Sequence, residues 1–212
     1  MVGCDLNQEG LDETAGLAPG RYIAADITDQ ADVDRLVAEA GPIDILVNNA
    51  GIMDHFLPLT ETEDDLWDRV LAVNLTGVMR LTRAVLPGMI DRGAGVVVTV
   101  ASEASLRAGV SGAAYAASKH GVLGLVKHVA FFYGPKGVRS NAVLPGGVET
   151  GIGATAMPQS QWALERAGVA LASMAPMAKP DQIAAAVSWL ASDEASNING
   201  AIMAADGGWS VA

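Results

Sequence analysis

A single cysteine, Cys4, among 212 residues excludes an internal disulfide. The three histidines, His55, His120 and His128, stand at no metal-ligand spacing from one another or from a second thiol, so no metal site is expected. Basic side chains are also scarce: 13 Lys and Arg against 24 Asp and Glu leave the chain 11 charges negative, and no two basic residues are adjacent. Nucleic acid backbones and anionic membrane surfaces are bound through Lys and Arg clusters, so neither is an expected partner. No window offers about 18 uncharged apolar residues, and residues 1–5 lack the basic and apolar segments of a signal peptide. A soluble protein in a reducing, cytoplasmic setting is the expectation. Hydrophobic residues make up 50% and charged residues 17%, which is far from a disordered composition and predicts one compact domain over 1–212.

Short β-branched runs alternate with longer stretches of helical periodicity, the pattern of parallel strands joined by crossover helices, so the expected class is α/β. Strands are expected at 1–4, 21–24, 43–47, 95–100, 138–143 and 201–204. Four of them are almost continuously apolar, as strands covered on both faces should be. Residues 30–40 carry Val33, Leu36 and Val37 at helical spacing, and Thr60 or Thr62 can cap a helix bearing Leu66, Val70 and Val73. Residues 113–132 read as helix, with Ala117, Gly121 and Gly124 leaving room for a neighbouring helix. The stretch 151–180, with its prolines, glycines and a weak helical pattern at 162–172, reads as an insertion or lid.

Tyr115 and Lys119 lie four apart on a helix and therefore on one face. A phenol titrates near about 10, and a neighbouring ammonium favours the phenolate needed for a base. Alone, the pair reads as a plain solvated Tyr and Lys on a helix surface. Its context argues otherwise: the apolar strand at 95–100 runs into Ala101-Ser102, putting a hydroxyl at the carboxyl edge of a parallel sheet, where open α/β folds bind ligands. A second such strand ends in Asn48-Asn49-Ala50-Gly51, where small residues let a flat ligand approach the backbone. Asn74 interrupts a helical stretch, where its side chain disfavours regular helix.

Together these segments resemble the short-chain dehydrogenase/reductase family over essentially the whole chain. The matching motifs are Asn48-Asn49-Ala50-Gly51, Val73-Asn74-Leu75-Thr76-Gly77, Ser102, Tyr115-x-x-x-Lys119 and Asn141-Ala-Val-Leu-Pro145-Gly146-Gly-Val148-Glu-Thr150. The closing stretch from Asp181 to Asp206-Gly207-Gly208 looks like the family's last helix, strand and turn. The resemblance implies a three-layer, doubly wound Rossmann-like sheet and hydride transfer between a nicotinamide coenzyme and an alcohol or carbonyl carbon. It casts Tyr115 as general acid/base, Lys119 as the group that lowers the phenol pKa and holds the nicotinamide ribose, Ser102 as polariser of the substrate oxygen, and Asn74 as holder of a relay water. Pro145, Gly146, Val148 and Thr150 would wrap the nicotinamide end, Asp26 and Ile27 would meet the adenine, and Asn48, Ala50 and Gly51 would line the adenosine ribose. Asp5 would accept from that ribose and repel a 2′-phosphate, favouring NAD over NADP. The family commonly forms dimers and tetramers, so a homodimer or homotetramer built on helices 63–90 and 113–132 is expected.

The family's glycine-rich turn, which cradles pyrophosphate, should precede Val2-Gly-Cys-Asp5, and the sequence lacks that first strand and helix. Two readings follow: an NAD-dependent dehydrogenase or reductase acting on a small alcohol or ketone, or a catalytically silent relative that acts as an interaction protein. The first strand is expected to shift sideways onto strand 43–47 or to be loosely held. Met157, Trp162 and Met174 suit either an apolar substrate or lid packing, and His55 reads as a solvated loop residue.

Overall fold

The alternation is realised in a computed structural model that describes residues 1–212, apart from the side chains of Ala154 and Thr155. Strand β1 (Val2–Asp5), helix α1 (Gln8–Leu17), β2 (Arg21–Ala24), α2 (Gln30–Ala40) and β3 (Ile45–Asn48) follow in order. Helix α3 (Asp64–Leu71), a π-helical stretch (Ala72–Gly77) and α4 (Val78–Arg92) lead to β4 (Gly95–Val100), and α5 (Ala113–Tyr133) leads to β5 (Val138–Pro145). Helices α6 (Gln161–Leu171) and α7 (Pro180–Ala191) precede β6 (Ile202–Ala205). Every strand pairing is parallel, and the architecture is the expected Rossmann-like α/β fold. Strands β2 and β4 and helix α2 occupy their expected bounds. Helix α1 had no counterpart in the apolar pattern, because Leu11 is its one buried residue; Asn7 starts it by accepting from the Glu9 amide at 3.2 Å.

Three layers form around β4 and β5. On one face Val122, Leu123 and Val126 of α5 pack with Ala142 and Leu144; on the other, Ile183 and Leu190 of α7 pack with Val98 and Val143. Each buried Val, Leu or Ile among them stabilises by about 1.5 to 3 kcal/mol relative to exposure. The 29 residues Asp64–Arg92 are long and apolar enough by composition to cross a bilayer, but Val70, Leu81, Val85 and Met89 are buried in the protein core.

Hydrogen bonding divides the strands into a β1-β2 pair and a β3-β4-β5-β6 sheet. The expected sideways shift of β1 onto β3 does not occur: β1 pairs with β2, from Val2 opposite Arg21 to Asp5 opposite Ala24. Side chains explain why. Ile23, Val33 and Leu36 share a core cluster with Leu46, Leu81 and Met89, and Arg80 and Arg83 of α4 bond the Thr28 carbonyl and the Gln30 side chain. Sliding the β1-β2 pair across would break these contacts. The cost falls on β3, which turns Ile45 (49% exposed) and Val47 (42% exposed) outward. The expected Thr cap of α3 is also replaced: Glu63 holds the cap position, and the Thr62 hydroxyl donates back to the Leu57 and Pro58 carbonyls.

Candidate active site

Where β4 ends, Ser102 adopts extended backbone and its hydroxyl accepts from the Ala104 amide at 3.1 Å, starting a short turn. Tyr115 lies in the first turn of α5, buried among Val70, Ala104, Val110 and Trp209. The Ser102 hydroxyl faces the Tyr115 phenol closely enough to favour its ionised form. One helical turn on, the Lys119 ammonium sits 5.6 Å from the Tyr115 ring centroid and donates to the Val100 carbonyl at 3.0 Å. Two separate elements thus deliver hydroxyl, phenol and ammonium to one strand end.

Asn74 is fully buried in the π-helical stretch, the kind of local widening that re-aims a side chain. Its carboxamide oxygen accepts from the Ile52 amide at 2.9 Å, while its NH2 donates to the Ile52 carbonyl at 2.9 Å and the Ser118 hydroxyl at 3.2 Å. Ser118 in turn donates to the Tyr115 carbonyl at 2.8 Å. Both amide protons of Asn74 are therefore engaged in joining the loop after β3 to α5, and a relay water is left only the second lone pair of its oxygen or its backbone.

Burial governs the electrostatics. It pushes the Tyr115 phenol up to about 12, with the Asp54 carboxylate adding to the rise and the Ser102 hydroxyl opposing it. The expected lowering by Lys119 is not found: desolvation of the phenolate dominates, and the opposing influence comes from Ser102. Lys119 itself is pushed down to about 8 by burial.

The coenzyme-facing candidates are distributed as follows. Asp5 is exposed at the carboxyl end of β1 and accepts from the Asn7 amide at 2.9 Å. Asp26 accepts from the Thr28 amide and hydroxyl, and Ile27 presses against Gly77, where an added Cβ would stand 2.8 Å from it. Asn48 departs from its expected role: buried, it donates to the Thr82 and Thr99 hydroxyls, so it cross-links β3 to α4 and β4, and its side chain is not turned to a ribose. Ala50 is exposed, and Gly51 lies so close to the site that a Cβ there would be 3.5 Å from both Asn74 and Lys119. Pro145 closes β5, Gly146 packs on Asp206, Val148 bridges to Ala178, and Thr150 is exposed. A buried ammonium with three protons and one acceptor among the described residues suits a vicinal diol, and the exposed Asp5 carboxylate suits another. The residues present therefore fit the two riboses of a nicotinamide dinucleotide.

The sequence pattern missed three residues around the site. Asp54, Glu103 and Arg107 show no spacing that marks them. Asp54 is fully buried behind Tyr115; Glu103 is 1% exposed, pairs with Arg107 and has its pKa raised, chiefly by burial. His55 is half-buried with φ 55°, not a freely solvated loop residue. Trp162 lines a hollow of about 550 Å³ between α6, residues 56–58 and the first turn of α5, while Met157 stays exposed and Met174 packs near Gly147.

A family model described as enoyl-(acyl carrier protein) reductase matches residues 1–210. The chain is 43% identical over 219 residues to 3beta-hydroxysteroid dehydrogenase 2 of Eggerthella lenta, covering 99% of this chain and 84% of that protein. Levodione reductase superposes with a TM-score of 0.88 at 33% identity, covering 100% of this chain and 88% of that one. The 3-ketoacyl-(acyl-carrier-protein) reductase of Brucella melitensis, solved with NADH, gives a TM-score of 0.88 at 33% identity, with 99% and 87% covered. These relatives are named dehydrogenases and reductases, which supports an oxidoreductase that takes a nicotinamide coenzyme.

Proposed function

The chain belongs to the short-chain dehydrogenase/reductase family, and from that premise we propose that it is an NAD-dependent oxidoreductase interconverting an alcohol and a ketone at Ser102, Tyr115 and Lys119. The observation that carries this reading is the buried Tyr115 phenol beside the Ser102 hydroxyl at the end of β4, with the Lys119 ammonium 5.6 Å from its ring. The bound coenzyme supplies or accepts the hydride at the substrate carbon. Tyr115, protonated below about 12, donates its proton to the carbonyl oxygen during reduction and takes it back during oxidation. Ser102 hydrogen-bonds the same oxygen and polarises it. Lys119 donates to the nicotinamide ribose and places its charge beside the phenolate that forms. Asn74 keeps the loop after β3 against α5, so that Gly51 stays beside Lys119.

The hollow beside Gly112 and Ala116 is lined by Phe56, Leu57 and Trp162, with Arg166 at its side, and supports a substrate with an apolar body. The exposed Asp5 supports NAD over NADP, since a carboxylate repels a 2′-phosphate. Fluorescence titration of NADH and NADPH tests the coenzyme assignment. Saturable NADH binding, at least about tenfold tighter than NADPH (about 1.4 kcal/mol), is expected. Tighter NADPH binding would overturn the NAD assignment, and no binding of either at millimolar concentration would favour the silent relative.

A further inference from the structure

The first turn of α5 carries Tyr115, yet the residue at its cap position, Gly112, has no side chain with which to cap it. The missing acceptor arrives from 58 residues earlier in the chain. One oxygen of the Asp54 carboxylate accepts from the Gly112 amide at 3.0 Å and the other accepts from the Tyr115 amide at 2.8 Å. Asp54 is 0% exposed, and the fit is close: a Cβ on Gly112 would stand 2.5 Å from the carboxylate. The neighbouring backbone strengthens the junction, with the Leu57 carbonyl accepting from the Ala113 amide at 3.0 Å and the His55 carbonyl accepting from the Gln159 amide ahead of α6 at 3.2 Å. Between them His55 and Phe56 both hold φ 55°. Residues with side chains adopt that conformation in succession only where their surroundings impose it, and such places cluster at functional sites.

We propose that Asp54 is a positioning residue: its carboxylate, used as a cap supplied from another loop, fixes the first turn of α5 and so holds the Tyr115 phenol against Ser102. The geometry stands without the dehydrogenase reading, whereas the consequence for turnover rests on it. A carboxylate is required because two backbone donors converge on it. An Asn of the same shape would set an NH2 group against one of the two amides.

Asp54→Asn is the first test, and Gly112→Ala the second, since φ −78° at Gly112 suits an Ala and its Cβ would press on the carboxylate. Hydrogen exchange is measured on both, and turnover is measured with NAD and a 3β-hydroxysteroid. Exchange at the Gly112 and Tyr115 amides should quicken about tenfold, the loss typical of a removed cap, with Val122 to Val126 unchanged. The kcat should fall about 10- to 100-fold, as a displaced catalytic group predicts, with the steroid KM little altered. Unchanged exchange in both variants would overturn the proposal, as would quickened exchange with unchanged kcat, or a loss confined to KM. If the parent chain does not turn over this steroid, the steroid is not its substrate, and exchange alone decides whether Asp54 holds the helix start.

Discussion

Tyr115→Phe is expected to lower kcat about 10²- to 10⁴-fold, the usual contribution of a positioned acid or base, while leaving thermal stability nearly unchanged. The ring fills a cluster with Val70, Ala104, Val110 and Trp209, and Phe retains that packing. What it loses is the one proton positioned beside Ser102. The pH dependence follows from the raised phenol. Reduction needs Tyr115 protonated, a state kept at every pH below about 12, so this group imposes no fall in reduction rate across the neutral range. Oxidation needs the phenolate, so its rate should rise with pH throughout that range. Initial rates in both directions, with a melting curve for each protein, check the expectation. A Phe variant with parental kcat would remove Tyr115 from the chemistry.

Lys119→Met should abolish turnover and at the same time stabilise the fold. Burial holds the ammonium at about 8 in the folded chain against an ordinary value of 10.5. A base whose folded pKa is depressed is bound to its proton more tightly in the unfolded chain, so stability increases as pH rises between the two values. Below about 8 the full penalty applies, about 3 kcal/mol from the size of that shift; above 10.5 it vanishes. Tyr115 acts oppositely only above its ordinary value of 10.0. Urea unfolding at pH 7 and pH 9.5 should therefore show the parent gaining stability with pH and the Met variant lacking that gain. At pH 7 the variant should be the more stable of the two, by less than the full penalty because the Val100 hydrogen bond is lost. A parent whose stability is flat across this window would show that Lys119 is not held against its own solvation.

Much of this arrangement was legible in the sequence because it rests on local rules. The apolar run at 95–100 could only be a covered strand, the four-residue step from Tyr115 to Lys119 could only share a helix face, and Ser102 had to fall at the strand end. Long-range partners escaped. Asp54 leaves no local signature, since its two acceptors meet amides 58 and 61 positions away. Asn48 looked like a ligand-facing loop residue, but its amide reaches Thr82 and Thr99, which only the packed sheet brings near. The position of β1 failed for a related reason: backbone pairing alone favoured moving it to β3, whereas the side-chain cluster around Ile23, Val33 and Leu36 holds the pair where it is. The rise in the Tyr115 pKa likewise follows from burial of the phenol, which spacing to Lys119 does not reveal.

Hydride transfer at this site is tested most directly with NADH carrying deuterium at both C4 positions of the nicotinamide. The protein is incubated with that coenzyme and, separately, a 3-ketosteroid, levodione and a 3-ketoacyl thioester, and the products are weighed by mass spectrometry. At least one alcohol product should carry one deuterium on the former carbonyl carbon, formed in step with NADH loss and at least about 10²-fold more slowly with Tyr115→Phe. NADH consumed without deuterium in the product, or labelled product formed equally well by the Phe variant, would contradict the assignment of Ser102, Tyr115 and Lys119 to hydride-transfer chemistry.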